Sequence, residues 1–367
     1  MMTSIHIGFK IKCLIQNGTG VNVHMKITFF IGNGFDLKMG LKSRYKDFYN
    51  YLLSQNYENI IVDKIKDNPD EWADFELACG KELRNITIDN MEEFIGAFGN
   101  FKIEFSKYLS EQEKDINYDQ LSDEIADKTC NSINNFYKRT DLARSQKLSS
   151  IINSCKQKVI FNFIIFNYTN LFQNVIDITT SKYSSVGSHE YGGTKYLHSI
   201  GECIKIHGSL SQDMIMGVND NTQIYNEDLK NNRKIKTVFI KPFLNDRLGN
   251  LKNEKVSQLI NDSEIICIYG MSLGNSDNFW WGKILQWLKN SSNRYLVIFK
   301  YLGDEYSNTI LSYQSLIKED EDIDDFLTRY KMDNQEKDRV SKQIIFSYNS
   351  DLFDFQLINQ KADKILV

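Results

Sequence analysis

Four apolar runs in this chain stop abruptly in small or polar residues that can do chemistry. Residues 27–31 lead into Gly32-Asn33-Gly34-Phe35-Asp36, and residues 159–166 into Asn167-Tyr168-Thr169-Asn170. Residues 204–206 lead into His207-Gly208-Ser209, and residues 265–269 into Gly270-Met271-Ser272, with Asp277 a few positions on. His207 is one of five histidines and stands alone at the end of an apolar run. An imidazole exchanges a proton near neutral pH, which suits a general base; a histidine there can equally cap its strand through a backbone hydrogen bond. Asn167 offers both a donor and an acceptor. It could orient a ribose hydroxyl, a carboxamide or an attacking water, or simply end its strand in an Asx turn. The glycines at 32 and 34 would let a phosphate approach the backbone at a helix start. A tight strand-to-helix turn explains them as well, and the third glycine of a dinucleotide fingerprint is replaced by Leu37. Asp36 would repel a phosphate, so its functional reading is a sugar hydroxyl or an oriented loop, beside the plain reading of a helix cap. Gly270-Met271-Ser272 could accept an adenosine, or be a plain loop, and Asp277 reads first as an N-cap.

These groups meet only if the elements behind them are parallel strands. The runs 27–31, 159–166, 204–206, 214–218, 265–269, 295–301 and 344–348 are rich in β-branched and aromatic residues. Several are apolar without alternation, the pattern of parallel strands buried on both faces. Parallel strands gather their following loops on one sheet edge, where open α/β sheets bind ligands. Between the first and second runs, apolar residues recur every three or four positions, predicting helices over 44–155 with 118–150 the most solvated part. Residues 278–289 predict a later helix with Trp280, Ile284 and Leu288 on one stripe. In Trp72-Ala73-Asp74-Phe75-Glu76 the pattern reads as a core face with solvated charges, and the charged stretches 318–325 and 333–339 as solvated surface. His189 and His198 fall in a Gly/Ser/Tyr-rich stretch that reads as a loop. The expectation is a mostly parallel α/β sheet flanked by helices, with a large helical insertion after the first strand. Its core comprises 25–43 and 156–367, the insertion 44–155 is expected to be a regulatory subdomain, and 1–24 is an extension.

The 367 residues carry 44 Lys and Arg against 48 Asp and Glu, a net charge of −4, which gives no general attraction to nucleic acid. No stretch reaches the ~18–20 apolar residues of a membrane helix. Six scattered cysteines form no CxxC pair, which argues against a zinc ribbon and for reduced core thiols in the cytoplasm.

The motifs resemble a family. Phe30-Ile31-Gly32-Asn33-Gly34-Phe35-Asp36-Leu37 with Gly40-Leu41-Lys42, then Trp72-Ala73-Asp74-Phe75-Glu76, Phe166-Asn167-Tyr168-Thr169, Ile206-His207-Gly208 and Tyr269-Gly270-Met271-Ser272 with Asp277, resemble the bacterial abortive-infection AbiH family in kind and order. That family in turn resembles the Rossmann-like, sirtuin-like NAD-binding fold. The resemblance implies an anti-phage effector that hydrolyses the nicotinamide–ribose bond of NAD, with His207 and Asn167 catalytic. It implies a nucleotide-binding set of Gly32, Asn33, Gly34, Phe35, Asp36, Thr169, Gly208, Gly270, Ser272 and Asp277, and no metal. Thr169 stands where many relatives have an acidic residue, and the zinc-binding cysteines of deacetylating sirtuins are absent, which favours cleavage of the nucleotide itself. Such an enzyme must be silent at rest, so regulation by a homo-oligomer or a defence partner is expected. Two other readings are a nucleotide-binding sensor or scaffold without turnover, and a nuclease-type effector, which would want clustered carboxylates that the sequence does not display.

Overall fold

The computed structural model describes residues 24–67, 72, 74–114, 116–210, 214–248, 251–303, 312–355 and 357. The expected extension 1–24 lies outside these residues apart from His24, which begins the first strand. Among the described residues the chain forms β1 (His24–Ile31), α1 (Gly34–Lys38), α2 (Tyr45–Ser54), α3 (Ile60–Asp67), α4 (Phe75–Glu82), α5 (Met91–Glu113), α6 (Tyr118–Asn134) and α7 (Leu142–Asn153). There follow β2 (Lys158–Ile165), α8 (Leu171–Lys182), β3 (Gly187–Tyr191), β4 (Thr194–Lys205), α9 (Arg233–Phe239), α10 (Lys241–Arg247) and α11 (Lys252–Asp262). The chain closes with β5 (Ile265–Tyr269), α12 (Asn278–Lys289), β6 (Tyr295–Lys300), α13 (Ser312–Leu327), α14 (Asn334–Ser341) and β7 (Ile344–Tyr348).

The strands form one sheet in the order β3-β4-β2-β1-β5-β6-β7. All neighbours pair in parallel except β3, which runs antiparallel to β4. The chain winds outward from β1 through β2 to β4, returns beside β1 as β5, and winds outward again to β7. The sense of winding therefore reverses between β1 and β5, the place where an open α/β sheet leaves a crevice at its carboxyl edge. Both sheet faces are buried, which is why the strands read as unbroken apolar runs. Ile27, Phe29 and Ile31 pack on one face with Phe161, Phe163 and Ile165, under α1, α6, α7 and α8. Phe30, Ile164, Ile204, Ile266 and Ile268 pack on the other, against α11, α12, α13 and α14.

The segment between β1 and β2 divides. Helices α2–α5 bury Phe48, Phe75, Phe94, Phe98, Phe101 and Phe105 in a third core shared with Met216, Val218 and Phe239. Helices α6 and α7 instead lie on the sheet, burying Ile125, Ile133, Leu148 and Ile152. Residues 118–150 nonetheless bury several side chains, Ile125, Ala126, Ile133, Phe136 and Leu148 among them. Their apolar positions are sparse, and most of them are spent on the sheet, Leu142 remaining exposed. The expected strand at 214–218 is not in the sheet either: Val218 makes a lone bridge to Ile240. Gly217 there, at φ +152°, lies so close to Phe239 that an added Cβ would meet its carbonyl oxygen at 2.2 Å. The charged stretch at 318–325 also departs from expectation, because Glu319 and Asp322 are buried. Glu319 pairs with Arg144 at 2.7 Å and accepts from the Phe346 amide at 3.0 Å, fastening α13 to α7 and β7.

His189 and His198 are not in a loop. They face each other in the β3–β4 hairpin, whose Gly192-Gly193 turn has φ of +58° and +77°, the backbone that two-residue hairpin turns favour. His189 Nδ1 lies 2.9 Å from His198 Nε2, and the outer nitrogens meet the Cys155 carbonyl at 2.8 Å and Asn134 Oδ1 at 2.6 Å. Burial pushes His198 down to about 4, and the facing His189 adds to the shift.

Candidate functional site

The loops after β1, β2, β4 and β5 all leave the sheet at its carboxyl edge. The β1 and β5 loops lie against one another. Gly32 N–H donates to the Tyr269 carbonyl at 2.9 Å and Gly34 N–H to the Gly270 carbonyl at 2.7 Å. A Cβ on Gly34 would stand 2.5 Å from Gly270 Cα, and Gly270 itself holds φ +69°. These glycines are required by the close approach of two loops, and two of the amides that could meet a phosphate are occupied by carbonyls. Asn33 is likewise engaged, accepting from Ser43 Oγ at 2.6 Å and donating to the Ser43 carbonyl at 3.1 Å. The Phe35 ring is fully buried in the sheet core, edge-on to Phe172 at 4.8 Å, and its amide donates to the Gly32 carbonyl at 3.0 Å.

Asp36 opens into a buried polar cluster. It is 1% exposed, and Asn167 Nδ2 and Thr169 Oγ1 donate to its two oxygens at 2.7 Å each. Burial pushes the Asp36 carboxyl up to about 7 against the opposing pull of these hydrogen bonds. The β2–α8 loop is tied down by Lys205, whose Nζ donates to the Thr169 carbonyl at 2.6 Å and to Asn170 Oδ1 at 2.8 Å. Glu113 at the end of α5 accepts from the Asn170 amide at 2.5 Å. Burial pushes Lys205 down to about 8, with Glu113 and Asp36 opposing. Asn167 Oδ1 is buried without a hydrogen-bond partner among the described residues.

A second cluster surrounds His207. The imidazole is buried, edge-on to Phe166 at 5.0 Å, with Nε2 3.4 Å from Asp277 Oδ1. The same carboxylate oxygen takes Lys241 Nζ at 2.9 Å, and Lys241 reaches Glu76 Oε2 at 2.8 Å. Glu76 also accepts from the Gly217 amide at 3.0 Å and from the Tyr168 hydroxyl at 3.2 Å. Burial alone would raise the Asp277 carboxyl, but Lys241 and His207 hold it well below the usual carboxylate range. Burial alone would lower Lys241, but Asp277 and Glu76 hold it above the ordinary lysine value. A small depression of about 10 Å³ lies here, lined by His207, Lys241, Asn245, Asp277, Phe279 and Trp280 among others.

Asn167 and His207 therefore follow neighbouring strands and each lies against a carboxylate, the buried Asp36 for one and the half-buried Asp277 for the other. The diglycine turn and the imidazole adjoin the same β5–α12 segment, at Gly270 and at Asp277 respectively. Asp277 stands at the N-cap position of α12, but its side chain makes no capping bond and belongs to the His207 cluster. Gly208 takes φ +74° in the turn after β4, and Ser272 is exposed on the β5 loop.

Sequence reasoning missed Glu76 and Lys241. Asp74 caps α4 through the Leu77 amide at 3.2 Å, as a surface carboxylate would. Glu76, two residues on, turns inward and is 6% exposed. Its signal was its place inside the Trp72–Glu76 motif. Lys241 offered only its position after the apolar segment 238–240.

The fold and this edge define an α/β protein with a mostly parallel, helix-flanked sheet and a buried polar site where the winding reverses. A family model described as Bacteriophage abortive infection AbiH matches residues 28–299. The chain belongs to that family, which points to a role in abortive infection by phage. Comparison with curated proteins finds no match. No helix among the described residues is long and apolar enough to cross a membrane.

Proposed function

We propose that this protein is an abortive-infection effector that binds NAD at the carboxyl edge of a Rossmann-like, sirtuin-like sheet and hydrolyses its nicotinamide–ribose bond. The observation that carries the reading is the pairing of each proposed catalytic side chain with a carboxylate, Asp36 or Asp277, on loops that follow adjacent parallel strands. The C–N bond breaks with its electron pair passing to the nicotinamide nitrogen, and positive charge develops on the ribose. Water adds to that carbon and loses a proton, giving ADP-ribose. His207, with Nε2 against Asp277, would accept this proton, directly or through a ribose hydroxyl. Asn167 holds the hydroxyl or the water. Positioning of this kind supplies much of the rate of such reactions.

The depression beside His207 holds only about 10 Å³ of space, far below the ~300–1,000 Å³ usual for ligand pockets. A dinucleotide requires it to widen, so this conformation corresponds to a resting form. The helices α2–α5, which supply Glu76, are the natural place for a trigger, a second copy or a defence partner to act. Thr169, standing where many relatives have an acidic residue, favours one second reading, a nucleotide sensor that binds without turnover.

The test is release of free nicotinamide from NAD by the purified protein, alone and in extracts of phage-infected cells, beside His207→Ala and Asn167→Ala. Turnover in the wild type and its loss in both variants supports the reading. Equal turnover in all three removes the assigned residues, and tight NAD binding without release in either condition selects the sensor.

A further inference from the structure

The structure leaves one atom of the Asp36 cluster without a partner, and that atom carries an inference about how the site handles its ligand. Asn167 is 4% exposed, and its Nδ2 donates to Asp36 Oδ1 at 2.7 Å. Reversing the amide would set two acceptor oxygens against each other at that distance, so the carboxylate decides which way the amide lies. Oδ1 is then the atom left over, buried and unpartnered among the described residues. A buried polar atom of this kind is costly unless something satisfies it. Asp36 has both oxygens engaged by protein donors, Asn167 and Thr169. It is therefore placed to act through Asn167, which takes up the second half of the expectation that it meets a sugar hydroxyl or orients a loop. Glu113 and Lys205 are the other charged groups that face it, of opposite sign.

We propose that Asp36 is a positioning residue that fixes the Asn167 amide with its carbonyl oxygen toward the ligand, so that this site takes a hydrogen-bond donor, a ribose hydroxyl or a water, and makes its oxygen more electron-rich. The proposal rests on the NAD reading above and deepens it. An acceptor at this place raises electron density on the oxygen it holds, which helps that oxygen stabilise or attack the ribose cation. A donor at the same place would still bind a hydroxyl, since hydroxyls accept as well as donate, but would withdraw density. Reversal of the amide should therefore depress turnover and spare binding.

Asp36→Leu keeps roughly the volume and removes the acceptor that fixes the amide, whereas Asp36→Asn keeps an oxygen for Asn167 Nδ2 to donate to and can turn its own amide hydrogens to the Thr169 hydroxyl, which also accepts. The expected result is that D36L binds NAD within about threefold of wild type by calorimetry while nicotinamide release falls at least 30-fold. D36N should recover to within tenfold of wild type. A general packing defect would weaken binding and turnover together. Wild-type turnover in D36L, equal loss of binding and turnover in D36L, or no recovery in D36N overturns the proposal. A direct readout is the ¹⁵N side-chain amide signal of Asn167, assigned by its disappearance in Asn167→Asp. It should follow the titration of Asp36 near pH 7 in the wild type and lose that dependence in D36N; an unchanged signal overturns the assignment. If the wild type does not cleave NAD, the functional reading fails, and the amide signal alone decides the role of Asp36.

Discussion

Replacing Lys241 by methionine tests whether the cluster around His207 is a buried ion network or a wet surface feature. The ammonium lies between Glu76 and Asp277 at 2.8 and 2.9 Å, and its side chain is only 5% exposed. Methionine keeps most of the volume and removes the charge, leaving two carboxylates facing a dry interior. Breaking a buried pair in this way costs about 3–5 kcal/mol, most of it the exposed debt of the remaining charges. Unfolding entropy of roughly 2.1 cal/mol/K per residue puts a protein of this length near ~0.8 kcal/mol/K, so the loss corresponds to a melting point lower by about 4–6 °C. Scanning calorimetry at pH 7 measures it directly. The Asp277 carboxyl, held below its ordinary range, contributes stability that is full above its unfolded value and disappears as pH falls through the lower folded value. K241M lacks this contribution, so the gap between the two proteins should narrow below about pH 4. Glu76→Gln in the K241M background removes one of the stranded charges, and the double variant should lose less than the two single losses combined. A K241M protein that melts within about a degree of wild type at pH 7 would refute the reasoning, because it would mean that water already screens the network.

Two further expectations follow from the same geometry. Gly34→Ala places a methyl group 2.5 Å from Gly270 Cα, where only backbone can give way; overpacking of this kind costs about 1–3 kcal/mol, seen as a lower urea midpoint, and an unchanged midpoint would show that the two loops are free to separate. His198 has a folded value near 4, below its unfolded one, so its contribution to stability is present above about pH 6.5 and is lost as pH falls toward 4. Histidine NMR should show one imidazole still neutral at pH 5, and titration of all the imidazoles above pH 6 would contradict the buried hairpin pair.

Much of the scaffold could be read from residue order. The strands at 27–31, 159–166, 265–269, 295–301 and 344–348 were legible because parallel strands covered on both faces must be apolar at every position. Helix 278–289 was legible because Trp280, Ile284 and Leu288 recur at helical spacing on one stripe. The four strand-end loops followed, and with them His207 and Asn167 as residues sharing one edge. Burial at α6 was not legible. Its apolar residues are few, and whether a sparse stripe meets solvent or a sheet depends on what the rest of the chain lays against it. The hairpin of His189 and His198 was hidden by glycines and serines that read as loop.

What the sequence determined by itself was local and periodic: which segments are strands, where each one stops, and which small or polar residue comes next. Tertiary structure decided the charges. Glu76 and Lys241 are 165 positions apart and meet through a single hydrogen bond. Each alone reads as a solvated side chain, since a lone charge is stable only in water and becomes stable in the interior only when its counter-charge arrives. The same holds for Asp36 and Asn167, 131 positions apart. An amide's orientation is set by the partner across the loop, and no pattern along the chain encodes it.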